Sequence, residues 1–341
     1  MFLNSIHSAF PPNRFTQQES YDGLAATPSF DRLRPGSRAL LEKILLRSGG
    51  IDTRHFCVPE IGPLVESDPG ELNHLFEREG RRLGADAMKG ALEKAGLQAD
   101  DLDALLVCSC TGYLCPGLSS HVAEELGMRP DIYLQDLVGL GCGAAIPTLR
   151  SAHGLAKADP SMKIGVIAIE LCSAAFYMDD DPGVLISLCL FGDGANASIW
   201  SGEGGDGAWE AGNFQTLHLP QHRDLLRFEN EKGFLRNRLD RQVPALAAKA
   251  VKQLHDQAGA SLKGVISHGG GRDVVDAVEK VLGCGELDLT REVLSQYGNL
   301  SSPSVLVSLE LALEAGPSTD RLWLTSFGAG FAAHACQLRR I

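Results

Sequence analysis

Features that direct a chain to membranes or nucleic acids are missing from this sequence. No apolar run approaches the roughly 18 residues that a membrane-spanning helix needs, and the stretch MFLNSIHSAFPPNRF lacks the basic end and long apolar core of a secretory signal. The formal net charge of -12 disfavours a broad surface for nucleic acid or anionic lipid. We expect a cytoplasmic protein with no nucleic-acid partner and no membrane insertion, in which a local basic patch could still hold a small anion.

Patterns for metal binding and disulfide bonding are also missing. The nine cysteines stand at irregular spacings in a chain of 341 residues, which is unlike a disulfide framework, and we expect reduced thiols. One residue separates Cys108 from Cys110, and no His or Cys pair elsewhere completes a zinc pattern. The sequence therefore predicts no metal site.

The sequence contains an alternation of apolar strands and helices. Ala104 to Cys108 predicts a buried strand, SSHVAEELGM a helix that Ser119 or Ser120 caps, and KIGVIAIE a second buried strand. Between the last two, GLGCGAAIPTLRSAHGLAKA predicts a helix entered through glycines. Strands that are apolar throughout and alternate with helices indicate an α/β fold with parallel sheets covered on both faces.

The second half of the chain repeats this order of elements. LKGVISHGGGRDVVDAVEKVLG predicts a strand, a Gly-rich turn and a helix that begins near Asp273. The separation of Cys142 from the first of these strands is similar to that of Asn299 from the corresponding later strand. The repeat predicts two duplicated halves, residues 1–205 and 206–341, with the seam in the acidic loop SGEGGDGAW.

Cys142 stands at a predicted helix entrance between glycines. Unpaired backbone N–H groups and the positive end of the helix dipole both favour a thiolate there, so the sequence predicts a nucleophile with a lowered pKa. His268 follows a strand and precedes three glycines, a position from which it could exchange protons or hydrogen-bond a carbonyl oxygen. Asn299 could supply an amide donor. Each residue also has a structural explanation when it is considered alone. Cys142 could be a thiol packed in the core, His268 a structural histidine and Asn299 a helix N-cap.

Several motifs around these residues occur in a fixed order. They are the GCG turn, LFGDGANA, ISHGGGRDVVDAVE, YGNLSSPSVL and, at the two ends, SAFPPNRFTQQE and SFGAGFAAHACQL. The ordered set resembles the thiolase superfamily and, within it, the chalcone-synthase-like type III polyketide synthases. The resemblance extends from about Phe2 to Leu338.

The resemblance implies a five-layer αβαβα fold, built from two duplicated halves, and a homodimer. It implies an acyltransferase that loads an acyl-CoA starter on Cys142, extends it by decarboxylative condensation with malonyl-CoA, and cyclises the chain to a pyrone, a resorcinol or a similar product. His268 and Asn299 would hydrogen-bond the thioester oxygen as enolate charge develops. No bound cofactor and no carrier protein are implied, since the CoA thioesters are the substrates.

The resemblance also gives roles to further positions. Phe191 would gate the CoA tunnel, and Cys115 would lie at the dimer crossover; without the resemblance, Phe191 fits a core aromatic. The residues that would line the starter pocket are Cys110, Thr111, Cys172 and Ala175. Their small side chains suggest room for a bulky or long acyl group. The residues that would bind CoA are Lys43, Arg47, Gly270 and Gly271, of which the two cations also fit a solvated helix face.

The sequence departs from the plant members of the family at several motifs. HGGG replaces HPGG, FGAG replaces FGPG, and Leu-Gly-Cys replaces Gln-Gly-Cys. The approximate alignment places Asn237 where plant enzymes have a second gating Phe. These departures favour a bacterial-type member with a different starter and cyclisation.

Two other functions remain open from the sequence. A 3-oxoacyl-[acyl-carrier-protein] synthase III also uses Cys, His and Asn, but condenses once and takes malonyl from a carrier protein. A catalytically silent acyl-CoA-binding protein would keep the fold alone. GEGGDG fits a dinucleotide-binding pattern literally, but it is acidic and lacks the following helix that would receive a pyrophosphate.

Overall fold

The computed structural model describes residues 1–47, 50–259, 264–283, 285 and 287–341. Its strands are β1 (Phe2–Ala9), β2 (Asn13–Thr16), β3 (Thr53–Phe56), β4 (Ala104–Cys108), β5 (Tyr133–Leu137), β6 (Ile164–Glu170), β7 (Gly194–Ser201), β8 (Trp209–His218), β9 (Leu226–Glu231), β10 (Phe234–Leu239), β11 (Val265–Ser267), β12 (Arg321–Gly328) and β13 (Ala332–Arg340). Its helices are α1 (Gln17–Ala25), α2 (Pro28–Arg32), α3 (Pro35–Arg47), α4 (Pro69–Ala95), α5 (Leu118–Leu126), α6 (Ala145–Ala158), α7 (Pro182–Leu190), α8 (Val243–Ala258), α9 (Arg272–Leu282), α10 (Asp288–Tyr297) and α11 (Ser304–Glu314).

Nine strands form one sheet that carries the predicted repeat. Its order is β11, β12, β13, β8, β1, β7, β6, β4, β5. In the first half, β4 pairs parallel with β6, and β7 pairs antiparallel with β6 and β1. In the second half, β11, β12, β13 and β8 repeat this pattern. The half-sheets are joined through β1 and β8, where Phe2 pairs with Glu210 and Leu3 with Trp209.

The buried apolar residues define five layers. One cluster combines the apolar faces of α6 and α11 with residues of both half-sheets, so these two helices form the middle layer. A second cluster packs α4 and α5 on the outer face of the first half-sheet, and a third packs α8 and α9 on the outer face of the second. The fold is therefore the expected thiolase-like αβαβα arrangement. In it, the start of α6 faces the second half of the chain, and the start of α11 faces the first half.

The predicted strands are confirmed at β4 and β6, but the predicted cap of α5 is wrong. The N-cap of α5 is Gly117, and neither Ser119 nor Ser120 caps the helix. The Asp136 carboxylate, at the end of β5, instead accepts from the backbone N–H and the hydroxyl of Ser119. A Cβ at Gly117 would lie 2.3 Å from that carboxylate, which explains the glycine. A tertiary partner thus replaces the local cap.

Helix α4 is capped at both ends. Asp68 and Glu71 form a capping box at its start, and Gly96 ends it in the left-handed conformation. Its apolar stripe is buried, while charged residues cover the opposite face. Among the described residues, no helix combines the length and the apolar character that crossing a membrane requires.

Candidate active site

Cys142 lies in a one-turn 3-10 helix directly before α6. Gly141 adopts φ +58°, and a Cβ there would lie 2.9 Å from the backbone nitrogen of Ala329. The hydroxyl of Ser326 donates to the carbonyl of Gly143 at 3.0 Å. The turn between β12 and β13 therefore approaches the Cys142 turn so closely that side chains flanking the cysteine would clash.

The prediction of a lowered pKa at Cys142 is wrong. Burial raises the pKa of the Cys142 thiol to about 12, the hydroxyl of Ser301 lowers it, and the carboxylate of Glu170 raises it. The reason is that removal from water disfavours the thiolate more than the neighbouring donors favour it. Cys142 is consequently a thiol at neutral pH, and its activation requires a base.

A buried carboxylate lies behind the nucleophile. Glu170 ends β6 and is fully buried; burial raises its pKa. Ser301 Oγ lies 3.2 Å from Cys142 Sγ and 3.2 Å from Glu170 Oε1. The other donors to this carboxylate are Ser302 Oγ at 2.6 Å, the Cys110 backbone N–H at 2.9 Å, Thr111 Oγ1 at 3.0 Å, Ser109 Oγ at 3.2 Å and Cys110 Sγ at 3.3 Å. Sequence reasoning missed Glu170, although a glutamate closing the apolar run KIGVIAIE was a visible signal.

Asn299 lies before α11, whose N-cap is Pro303, so it is not the helix cap. The backbone N–H of Ser301 donates to Asn299 Oδ1 at 2.8 Å, and Asn299 Nδ2 donates to the Gly270 carbonyl at 3.3 Å. Because a backbone N–H can only donate, this contact fixes which end of the amide is oxygen. One N–H of Nδ2 bonds Gly270, and the second is available to a ligand.

His268 follows β11, as predicted, and is 2% exposed. Burial lowers its pKa to about 4, so the imidazole is neutral at pH 7. The ring stands edge-on to Phe327, with centroids 5.1 Å apart. Among the described residues, Nδ1 has no hydrogen-bond partner. A Cβ at Gly270 would lie 3.4 Å from His268 Nε2, so the glycine loop leaves this nitrogen uncovered.

One cavity of about 610 Å³ brings the three predicted catalytic residues together. Cys142, His268 and Asn299 line it from three different elements. The other predicted site residues on its wall are Phe191, Gly270 and Gly271. An isolated parallel bridge joins Phe191 to Asn299, so the gate candidate and the amide are held by one backbone contact.

The predicted starter-pocket residues line a second, much smaller cavity. Its volume is about 30 Å³, and the predicted residues on its wall are Phe191, Cys110, Thr111, Cys172 and Ala175. Packing therefore removes most of the room that these small side chains suggested. Beyond it lies a third cavity of about 560 Å³, which shares Cys110, Thr111 and Ala175 with the small one.

The predicted CoA cations lie outside the wall of the catalytic cavity. Lys43 and Arg47 are on α3, which contributes Ile44 to that wall, and Arg47 bonds Glu42 at 2.5 Å. The cations that do line the cavity are Arg241 and Arg272. Sequence reasoning missed both, although Arg272 directly follows the HGGG motif.

Cys115 is exposed, and so is the apolar side chain of Tyr113, two residues before it, at 72%. The dimer crossover at Cys115 stays a prediction.

The described residues contain no group of three or more His, Cys, Asp or Glu side chains arranged to hold a metal ion. What the catalytic cavity offers is a thiol, a neutral imidazole and an amide N–H on one wall. Such a set can form a thioester and stabilise charge on a thioester oxygen. Together with the fold, it defines a condensing enzyme of the thiolase class.

Comparison with known sequences assigns the family. Residues 6–218 match the sequence model described as FAE1/type III polyketide synthase-like protein, and residues 256–340 match that of the C-terminal part of 3-oxoacyl-[acyl-carrier-protein] synthase III. The chain belongs to the type III polyketide synthase family. The resemblance read from the sequence is thereby confirmed.

Individual relatives agree over nearly the full length. The chain is 31% identical to 1,3,6,8-tetrahydroxynaphthalene synthase of Streptomyces peucetius subsp. caesius, covering 98% of this chain and 92% of the relative. It is 31% identical to 3,5-dihydroxyphenylacetyl-CoA synthase of Streptomyces toyocaensis, covering 91% and 82%. The crystal structure of 1,3,6,8-tetrahydroxynaphthalene synthase from Streptomyces coelicolor A3(2), a bacterial type III polyketide synthase, superposes with a TM-score of 0.88 at 26% identity, covering 100% and 99%.

Proposed function

We propose that the protein loads an acyl group from an acyl-CoA on Cys142, extends it with malonyl-CoA, and cyclises the product. The observation that carries this proposal is the convergence of Cys142, His268 and Asn299 on one cavity. The same wall carries two acidic side chains, Asp240 and Asp273, and two cations, Arg241 and Arg272.

The loading step begins from a neutral pair. Because burial raises the pKa of Cys142 and lowers that of His268, the resting state is thiol and imidazole. The sulfur attacks the acyl-CoA carbonyl while its proton passes to His268. The C–S bond to CoA then breaks, and the imidazolium returns the proton to the departing CoA thiolate. The products are an acyl thioester on Cys142 and free CoA.

The extension step uses the same donors on a different carbonyl. The thioester oxygen of malonyl-CoA accepts from the free N–H of Asn299 and from His268. As the carboxylate leaves as carbon dioxide, its bonding electrons form an enolate whose negative oxygen these donors stabilise. The enolate carbon attacks the acyl thioester, the C–S bond to Cys142 breaks, and the Cys142 thiolate takes a proton from water. A neutral imidazole donates from its one protonated ring nitrogen, so a pKa of about 4 is compatible with this role.

Substrate and product class follow from the relatives. Those named above make polyhydroxylated aromatic compounds, and a mycobacterial relative at 26% identity is named for α-pyrone synthesis. We infer that this chain also cyclises its product, to a pyrone, a resorcinol or a similar ring. The remaining inferences are a cytoplasmic homodimer with Cys115 at the crossover, CoA held by Arg241, Arg272 and the predicted CoA residues Lys43, Arg47, Gly270 and Gly271, and no cofactor or carrier protein.

A single condensation on a carrier protein is the second candidate, and the C-terminal match to 3-oxoacyl-[acyl-carrier-protein] synthase III favours it. The two candidates differ in the malonyl donor and in the number of extensions. Malonyl-CoA alone supports turnover under the first, whereas the second requires malonyl on the carrier.

Mass spectrometry of the acyl-enzyme tests the proposal. The protein, Cys142→Ala and the control Cys336→Ala are each incubated with malonyl-CoA and a panel of short, long and aromatic acyl-CoAs without carrier protein. We expect an acyl mass on the Cys142 peptide and released polyketides from the parent and the control, and neither from Cys142→Ala. Absence of acylation from every protein refutes the proposal, and turnover only after carrier protein is added selects the second candidate.

A further inference from the structure

Asn237 lies where the catalytic cavity meets the small cavity. It is on β10, is 3% exposed, and lines both cavities together with Phe191. A thioester that reaches from the CoA side past Cys142 therefore passes this side chain. The cavity wall nearby is mostly apolar, so a buried amide at this point requires a physical reason.

Hydrogen bonding fixes the orientation of the Asn237 amide. Ser187 Oγ donates its only proton to the carbonyl of Gly183 at 2.7 Å. The same oxygen lies 2.9 Å from Asn237 Nδ2 and can therefore only accept from it. The amide nitrogen thus faces Ser187, and Oδ1 faces away from it. Oδ1 is buried, and the described part of the chain gives it no hydrogen-bond partner.

The backbone around Asn237 is held firmly. A Cβ at Gly183 would lie 2.4 Å from the Asn237 carbonyl oxygen, so the start of α7 lies directly against β10. Asp181, the N-cap of α7, bonds Arg236 at 2.7 Å and Arg238 at 3.2 Å on either side of Asn237. The backbone that carries the amide is therefore fixed, and leaving the buried acceptor unpaired is unfavourable.

We propose that Asn237 Oδ1 is a specificity-determining acceptor that binds an N–H or O–H donor of the bound thioester. This inference rests on the proposed function. Two parts of the bound molecule carry such a donor: the amide N–H groups of the pantetheine arm, and the enol hydroxyl of a growing poly-β-keto chain. The keto form of the chain offers only acceptors, so Oδ1 would favour the enol tautomer over the keto tautomer. It would likewise favour a thioester whose thiol portion carries an amide N–H over one that lacks it.

Paired substrates distinguish the two donors. One thioester carries N-acetylcysteamine, and its analogue replaces the amide N–H by an ester oxygen. Parent, Asn237→Leu and Asn237→Ala are compared for kcat/KM on both thioesters and for the ratio of long to short products from malonyl-CoA. Leu keeps the branched shape of Asn without an acceptor. Ala is a second, smaller replacement, used if the Leu variant fails to fold.

If the pantetheine N–H is the donor, the parent prefers the amide thioester by roughly five- to tenfold, and both variants lose that preference. If an enol is the donor, all three proteins treat the two thioesters alike, and the variants shift toward short products. If the variants match the parent in thioester preference and in product ratio, and Cys142 is still acylated, the proposed role of Asn237 is wrong. The proposed function is then unaffected. A parent that is never acylated at Cys142 overturns the proposed function and this inference with it.

Discussion

Cys142 and His268 line the same cavity, and burial favours the uncharged form of both side chains. Burial raises the pKa of the thiol and lowers that of the imidazole, so each group is in its uncharged form at neutral pH. Reactivity then depends on proton transfer during attack, not on a standing thiolate. The carboxylate of Glu170 contributes to this state, since a negative charge near Cys142 disfavours the thiolate.

Alkylation of Cys142 by iodoacetamide should keep accelerating with pH. A thiol whose pKa lies near 12 gains about tenfold in thiolate per pH unit between pH 7 and 9.5. The rate is followed by mass spectrometry of the Cys142 peptide. Alkylation of the peptide that contains the exposed Cys115 is the control for the reactivity of the reagent. A rate that levels off below pH 8 would show that the helix entrance lowers the pKa of Cys142 more than burial raises it.

Residue chemistry was predictable at some positions of the site and not at others. Cys142, His268 and Asn299 could be selected because their motifs stand in order along the chain. The proposed acceptor role of Asn237 could not be predicted, because it depends on which group accepts the Ser187 hydroxyl proton. The pKa of Cys142 was mispredicted because a helix entrance is visible in sequence, whereas burial by distant segments is not.

At the scale of elements, β3 connects the end of α7, next to the proposed gate Phe191, to the turn that carries Asn299. Arg54 on β3 is 1% exposed, and its guanidinium donates to the carbonyls of Leu188 at 2.6 Å and Phe191 at 3.0 Å. Its Nε donates to Gln17 at 3.0 Å. A Cβ at Gly298 would lie 2.9 Å from the Arg54 side chain, so the arginine fills the space between α7 and the Asn299 turn.

Replacement of Arg54 by Met should lower the free energy of unfolding by about 2 to 4 kcal/mol, because buried carbonyls at the end of α7 lose their donors. Urea denaturation at pH 7 measures the change. Arg78→Met, on the exposed face of α4, is the matched control and should differ from the parent by less than about 0.5 kcal/mol. Equal losses in the two variants would contradict a special role for Arg54.

At the scale of the whole molecule, the two halves share one interior. The middle layer contains α6 from the first half and α11 from the second, and each contacts apolar residues of both half-sheets. The repeated strand order explains why the sequence predicted this architecture: periodicity and spacing are the same in both halves. The cavities could not be predicted, because their volumes depend on packing between segments far apart in sequence.

We propose a boundary between residues 205 and 206, in the loop from β7 to β8. Each fragment alone would expose its face of the middle layer, whereas the two together would bury it. We expect residues 1–205 and 206–341 to be insoluble when expressed singly, and to co-purify and become acylated at Cys142 when expressed together. Two fragments that each fold as soluble monomers would contradict the shared interior.

The most direct test measures the release of carbon dioxide from malonyl-CoA in the absence of a starter. It asks whether Asn299, and not Cys142, is needed for decarboxylation. We predict that Asn299→Ala slows release by about 100- to 1000-fold, since one donor to the enolate oxygen is lost. Cys142→Ala and the exposed control Asn4→Ala should release it at rates close to the parent. An Asn299→Ala variant as fast as the parent, or a Cys142→Ala variant that releases none, would contradict the assignment of enolate stabilisation to the His268 and Asn299 side of the cavity.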